Sequence, residues 1–292
     1  MNLISKIKNS NKFGFLMSMP YVIYFLIFLA FPLVFSFVLI FHKWNIITPM
    51  EFIGVDNFVR MFQDAKFFRA ILNTLIFLVI HIPLQIIIAL LLAVLLNKKI
   101  KMRGFFRALY FLPVIVSGVV VTIIWQQLYA YETGLINLVL NKLGLSGLPW
   151  LNSPDLAMPS IAIMATWKNV GLYTVLFLVG LQSIPHYLYE AADIDGASET
   201  QKFFHITLPA LNNTMVLVVI LSTIGGFSLF VEPFVMTGGG PMNRTLSAML
   251  YIYNQAFYFG HMGYAAALGF FFAAIVMVVI LIQKKVVGRQ GA

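Results

Sequence analysis

Four acidic side chains, Glu190, Asp193, Asp195 and Glu199, fall within ten residues of one polar stretch, EAADIDGASETQKFFHITLP, from Glu190 to Pro209. It is the longest strongly polar interruption in a very apolar chain. Glu190, Ala191 and Ala192 favour helix. Gly196 lets the backbone bend or approach another surface. Pro209 is expected to end the second helical piece where the next apolar run begins. Two short helical pieces around a glycine, held between apolar runs, would present a small knob to a soluble partner. Glu190 then serves as a charge-paired contact, or it stabilises its own helix N-terminus through the dipole. An ordinary acidic loop is the plainer alternative. Other chemistry has little support. The five histidines, at 42, 81, 186, 205 and 261, keep no metal-ligand spacing. Cysteine is absent, which excludes disulfides, thiolate metal sites and cysteine nucleophiles. No Ser-His-Asp constellation can be argued, and no Gly-x4-Gly-Lys-Ser/Thr phosphate loop is present, so the chain is not expected to hydrolyse ATP.

A second set of residues stands out because it lies inside apolar runs, where polar groups are costly and so mark function by default. STIGGFSLFVEP, at 222 to 233, holds Ser228 and Glu232, with Gly225 and Gly226 loosening the helix before them. On one helix, positions 228 and 232 share a face. TWKNVGLYT adds Trp167, Lys168, Asn169 and Tyr173. These residues would line a solute pathway: hydroxyls donate well to a carboxylate, and aromatic faces such as Phe227 and Phe230 could cover a ring. The alternative is interhelical hydrogen bonding, with Glu232 paired to Lys168 or Arg244.

The chain that must position them has 292 residues, 61% hydrophobic and 10% charged. A soluble domain carries about 25% charged residues, so this is expected to be an all-α, polytopic membrane protein. Six spans are expected: 15–41, 71–96, 106–129, 157–182, 213–236 and 264–283. The first run is read as a retained span, being too long for a signal-peptide core. In domain terms, 1–14 is an N-terminal segment, 42–70 an outer loop, 71–284 a five-helix core containing the 190–209 loop, and 285–292 a tail. The net charge of +9 reflects flanking cations rather than nucleic-acid binding. Lys6, Lys8 and Lys12 precede the first span; Lys98, Lys99, Lys101, Arg103 and Arg107 follow the second; Lys284, Lys285 and Arg289 close the chain. With both termini cytoplasmic, twelve Lys and Arg lie on the inner side and six on the outer, as the positive-inside rule requires.

The motif EAA, three residues, Gly, nine residues, then I-x-LP resembles the coupling loop of inner-membrane permease subunits of binding-protein-dependent ABC importers. Glu190, Ala191, Ala192, Gly196, Ile206, Leu208 and Pro209 fill every position of it. FIGVDNFVRMF at 52–62, RGFFRALYFLPVIVSGVV at 103–120, GLQSIPHYLYEAADIDGAS at 180–198, VMTGGGP at 235–241 and GYAAALGF at 263–270 are similar to carbohydrate permeases of the maltose and glycerol-3-phosphate type. The chain departs from the enteric maltose subunit, whose large periplasmic domain no loop here can hold. The resemblance implies a type I importer permease fold in a bacterial-type inner membrane. It implies ATPase-coupling roles for those seven residues and for Asp195. It implies a second homologous permease, two cytoplasmic ATPases carrying ATP-Mg, an extracellular solute-binding protein and surrounding lipid as partners, with no cofactor on this chain. Oligosaccharides and glycerol-phosphate-type solutes both fit it. A passive channel would need no docking knob.

Overall fold

The computed structural model describes residues 11–98 and 101–287. Lys6, Lys8, Lys99 and Arg289, counted in the charge bias, lie outside them, as does most of the expected tail. Among the described residues the regular structure is helical except for one short hairpin. Five helical segments are long and apolar enough to cross a membrane: α1 (Gly14–Leu39), α3 (Ala65–Asn97), α7 (Ala157–Gln182), Asn212–Met236, which is interrupted after Phe227, and Met262–Val286. A bent pair makes six if it counts as one span. Helices suit this environment because every backbone group is satisfied within its own segment. Pro20 in the first helix and Pro83 in α3 lie inside continuous helix.

Contacts group the chain into two compact units, Met1–Asp64 with Ile252–Phe271, and Ala65–Tyr251 with Phe272–Ala292. In the first, α1 leads to the antiparallel pair β1 (His42–Lys43) and β2 (Glu51–Phe52), then α2 (Asp56–Phe62). Asn57 is buried and donates to the carbonyls of Ile40, at 2.7 Å, and His42, at 3.1 Å. The Arg60 guanidinium lies 4.0 Å over the Tyr264 ring, whose hydroxyl donates to Asp64 at 2.6 Å.

In the second unit α3 and α7 pack along each other. Small residues line the seam: Ala89 and Ala93 on α3 are fully buried. Small side chains let helix backbones approach where no hydrophobic driving force separates helix from lipid. The expected third span, 106–129, is instead two helices, α4 (Arg103–Ile115) and α5 (Gly118–Leu128), bent by 99°. Val116 and Ser117 are extended, with ψ of 143° and 129°. Pro113 withholds an N–H from the preceding turn, and Ser117–Gly118 is a weak helical pair, so the ladder stops there. The loop expected at 130–156 carries its own helix, α6 (Leu135–Lys142). Buried Asn137 holds that loop closed: it donates to the carbonyls of Tyr131 and Leu148 and accepts from Leu148 N–H and the Trp150 indole.

Candidate functional site

The polar stretch folds as two helical pieces, α8 (Tyr187–Ile194) and α9 (Glu199–Lys202), joined at Gly196. Gly196 has φ of +73°, the left-handed conformation that glycine adopts without strain. It closes α8 with a Schellman pair: Ala197 N–H donates to Ala192 C=O at 2.9 Å, and Gly196 N–H to Asp193 C=O at 3.1 Å. Two residues on, Ser198 opens α9 with a capping box, its hydroxyl accepting from Gln201 N–H while the Gln201 side chain accepts from Ser198 N–H. The turn is therefore stiff, and it stays exposed: nothing lies within 4 Å of where a Gly196 side chain would stand. Glu190 is exposed on α8 and pairs with His186 at 3.0 Å. Ala191 is also exposed; exposed Asp195 and half-buried Ala192 and Ile206 line an open pocket between the pieces.

Pro209 does not end the second piece. After α9 the helix widens to a π turn at Phe203–Thr207 and continues as α10 (Leu208–Ala210), breaking only at Leu211. Proline near the start of a helical turn loses no bond that the turn needs, and the wider π turn before it absorbs the missing donor. Lys202 is the residue that composition does not flag. Its ammonium contacts both Asp193, on α8, and Glu199, on α9 at 2.7 Å, and so ties the pieces together. These hydrogen bonds, Asp193 first, hold its pKa above the ordinary lysine value. The sign follows: this tie is complete below the ordinary lysine range and lost only as pH rises through the raised pKa. Tyr189 adds a second tie, its hydroxyl 2.8 Å from that of Thr207. Replacing Lys202 by Met is expected to speed amide exchange from Gly196 to Lys202 and leave α7 unchanged. Unaltered exchange would show that the capping motifs alone hold the turn.

The polar residues of the apolar runs meet in a cavity of about 290 Å³ between α3, α7, α11 (Asn212–Phe227) and α12 (Val231–Met236). Ser228 and Glu232 both line it, but one helix does not carry them: α11 ends at Phe227, and Phe230 breaks the chain with φ of −140° before α12 begins. Ser228 follows Gly225 and Gly226, which lower helix propensity, and its hydroxyl donates back to Ile224 C=O at 3.1 Å. Asn169 and Tyr173 on α7 line the same cavity. Trp167 does not. It is 46% exposed and packs 5.5 Å from Trp125, on another side of α7. Lys168 reaches Glu232 at 3.5 Å, and both are mostly buried. Arg244, the other expected partner of Glu232, makes no ion pair among the described residues. His81, the one histidine deep in an expected span, and Ser222, the first residue of the 222–233 stretch, complete the polar wall. A histidine inside a span is expected to hydrogen-bond a neighbouring helix, and His81 does so. His81 Nδ1 meets Thr166 Oγ1 at 2.9 Å, and Ser222 accepts from Gln85 at 2.8 Å.

The loop VMTGGGP closes the end of α12. Thr237 and Thr245 hydroxyls meet at 2.6 Å, Thr245 donates to Gly240 C=O, and Gly238 and Gly239 have φ of +60° and +89°. Asn73 on α3 donates to Asn243 and Leu246 carbonyls from the other side.

Residues 58–290 match the family model for the binding-protein-dependent transport system inner membrane component. The chain is 37% identical over 279 residues to the arabinooligosaccharides transport system permease protein AraP of Bacillus subtilis, covering 94% of this chain and 88% of that one. It is 34% identical over 287 residues to the trehalose/maltose transport system permease protein MalF of Thermococcus litoralis, covering 98% and 97%. A chain of the bacterial alginate ABC transporter, solved in complex with an alginate pentasaccharide-bound periplasmic protein, superposes with a TM-score of 0.83 at 26% identity, covering 100% of this chain and 99% of that one.

Proposed function

We propose, from the premise that this chain belongs to the binding-protein-dependent transport system inner membrane component family, that it is the permease subunit of an ATP-driven importer for a saccharide. The observation that supports the reading is the stiff, exposed two-helix knob around Gly196, a shape suited to docking a soluble partner. In this reading the knob seats in a separate cytoplasmic ATPase. Glu190 pairs with a cation there, Ala191, Ala192 and Asp195 form the close surface, and Ile206, Leu208 and Pro209 join the knob to the next span. Two such ATPases, carrying ATP-Mg, close on each other and drive this chain and a second homologous permease between inward and outward states. An extracellular binding protein delivers the solute, and the cavity lined by Asn169, Tyr173, Ser228 and Glu232 passes it on. The saccharide names of the relatives favour a sugar over a glycerol-phosphate-type solute.

The assembled complex in proteoliposomes is expected to accumulate a labelled oligosaccharide only with ATP on the knob side and binding protein on the other. Equal uptake without ATP would replace this reading with a passive channel. The chain counts six spans, with the bent pair as one, and both termini cytoplasmic. A cysteine at Ser198 is then expected to resist an impermeant thiol reagent in intact cells, while one at Met242, which is 82% exposed, reacts. Both positions report cleanly because the chain has no cysteine of its own. Labelling of the Ser198→Cys chain in sealed cells would overturn the topology.

A further inference from the structure

The cavity between α3, α7, α11 and α12 contains one basic and one acidic side chain, and they face each other. Lys168 Nζ lies 3.5 Å from Glu232 Oε1, with the side chains 16% and 13% exposed. The other polar groups of the wall are the uncharged Asn169, Tyr173, Ser222 and Ser228, and His81, whose Nδ1 is taken up by Thr166. A third element makes room for the pair. A Cβ on Gly118, at the start of α5, would stand 2.8 Å from Lys168 Nζ, so the glycine leaves the space that the ammonium occupies. Lys168 comes from α7, Glu232 from α12 and the space from α5.

We propose that this pair makes the chain's wall of the pathway select uncharged saccharides over anionic ones. Each member suppresses the selectivity its partner would impose alone. This rests on the saccharide reading above and deepens it. Two opposite charges at this separation act on a third as a dipole, whose field falls off faster than that of either charge. A carboxylate or phosphate that reached Lys168 would also lie against Glu232, and attraction and repulsion would largely cancel. A sugar hydroxyl meets no such conflict, donating to Glu232 while its neighbours accept from Lys168 or Asn169. Removing Glu232 leaves a buried, uncompensated ammonium, and a ligand of opposite sign recovers that cost. Removing Lys168 leaves a carboxylate that repels anions further.

The test is equilibrium binding of labelled maltotriose and trigalacturonate to the assembled permease–ATPase complex in lipid nanodiscs. The binding protein is left out, so that it does not select first. Wild type is expected to favour maltotriose. Glu232→Gln is expected to shift the trigalacturonate-to-maltotriose affinity ratio toward the anion by about tenfold or more, the size of one charged hydrogen bond. Lys168→Gln is expected to move the ratio the opposite way. Lys168→Gln/Glu232→Gln, which leaves no uncompensated charge, is expected to restore the wild-type ratio and so separates charge from loosened packing. A ratio unchanged in both single variants, or a wild type that prefers trigalacturonate, would overturn this inference alone. Failure of both glycans to bind wild type would overturn the saccharide reading and this inference with it.

Discussion

Gly196→Pro is expected to abolish ATP-driven uptake while the chain still enters the membrane. Proline holds φ near −65°, against the +73° that the turn needs. It also lacks the N–H that donates to Asp193 C=O, so the α8 cap opens at the point where α9 must be placed. A graded comparison isolates the cause. Gly196→Ala keeps that N–H and meets no neighbour, so it carries only the left-handed strain, about 1–2 kcal/mol, and is expected to slow uptake without stopping it. Glu190→Lys leaves the backbone intact and reverses an exposed charge beside His186. It is expected to match Gly196→Pro in lost uptake and lost co-purification of the ATPase. Normal uptake by the Gly196→Pro and Glu190→Lys chains would show that the knob does not couple the ATPase to transport.

The second large effect is expected at Gly171, in the middle of α7. A Cβ there would lie 2.1 Å from the carbonyl oxygen of Tyr110 and 3.1 Å from Phe111 Cα, both backbone atoms of α4. No rotamer relieves a clash with backbone, so α4 must leave α7 or the chain must not fold. Gly171→Val is expected to destabilise the protein by more than about 3 kcal/mol, the upper range for overpacking. Gly104→Ala is the control: it lies in α4 with nothing within 4 Å, and is expected to be neutral or slightly stabilising through helix propensity. Detergent-extracted yield and thermal aggregation of the two chains check this. Wild-type behaviour of Gly171→Val would mean that α4 and α7 do not pack as closely as the structure has them.

Charge and apolar run length made most of the helices readable. A span must satisfy its backbone within one segment, so hydropathy alone marks α7 and the last helix to within a few residues and the end of α3, whose polar first turns from Ala65 lie before the expected start at Ile71. The knob was readable in part for a similar reason: the helix-favouring EAA and the turn at Gly196 are local signals, whereas Pro209, read as a helix end, lies inside a helix that continues to Ala210. Local signals misled where the chain breaks for reasons of space. The run from 106 to 129 is apolar throughout, yet it bends at Val116 and Ser117, because Pro113 weakens the ladder and Gly118 leaves room for a lysine fifty residues away. Ser228 and Glu232 have helical spacing but reach the same cavity across a broken backbone, after two glycines.

The sequence by itself determined the helical class, the long apolar helices α3 and α7, the glycine turn between the two pieces of the knob and the absence of cysteine and of a phosphate-loop motif, because each depends on neighbours a few positions apart. Only the tertiary structure decided that Trp167 turns away from the cavity while Asn169 and Tyr173 enter it. It alone decided that Lys202 ties the knob, that Lys168 pairs with Glu232 rather than Arg244 doing so, and that Gly171 sits against a backbone carbonyl. Those contacts join residues 9 to 64 positions apart. Their partners are chosen by the rotation and depth of one helix against another, which no periodicity along the chain encodes.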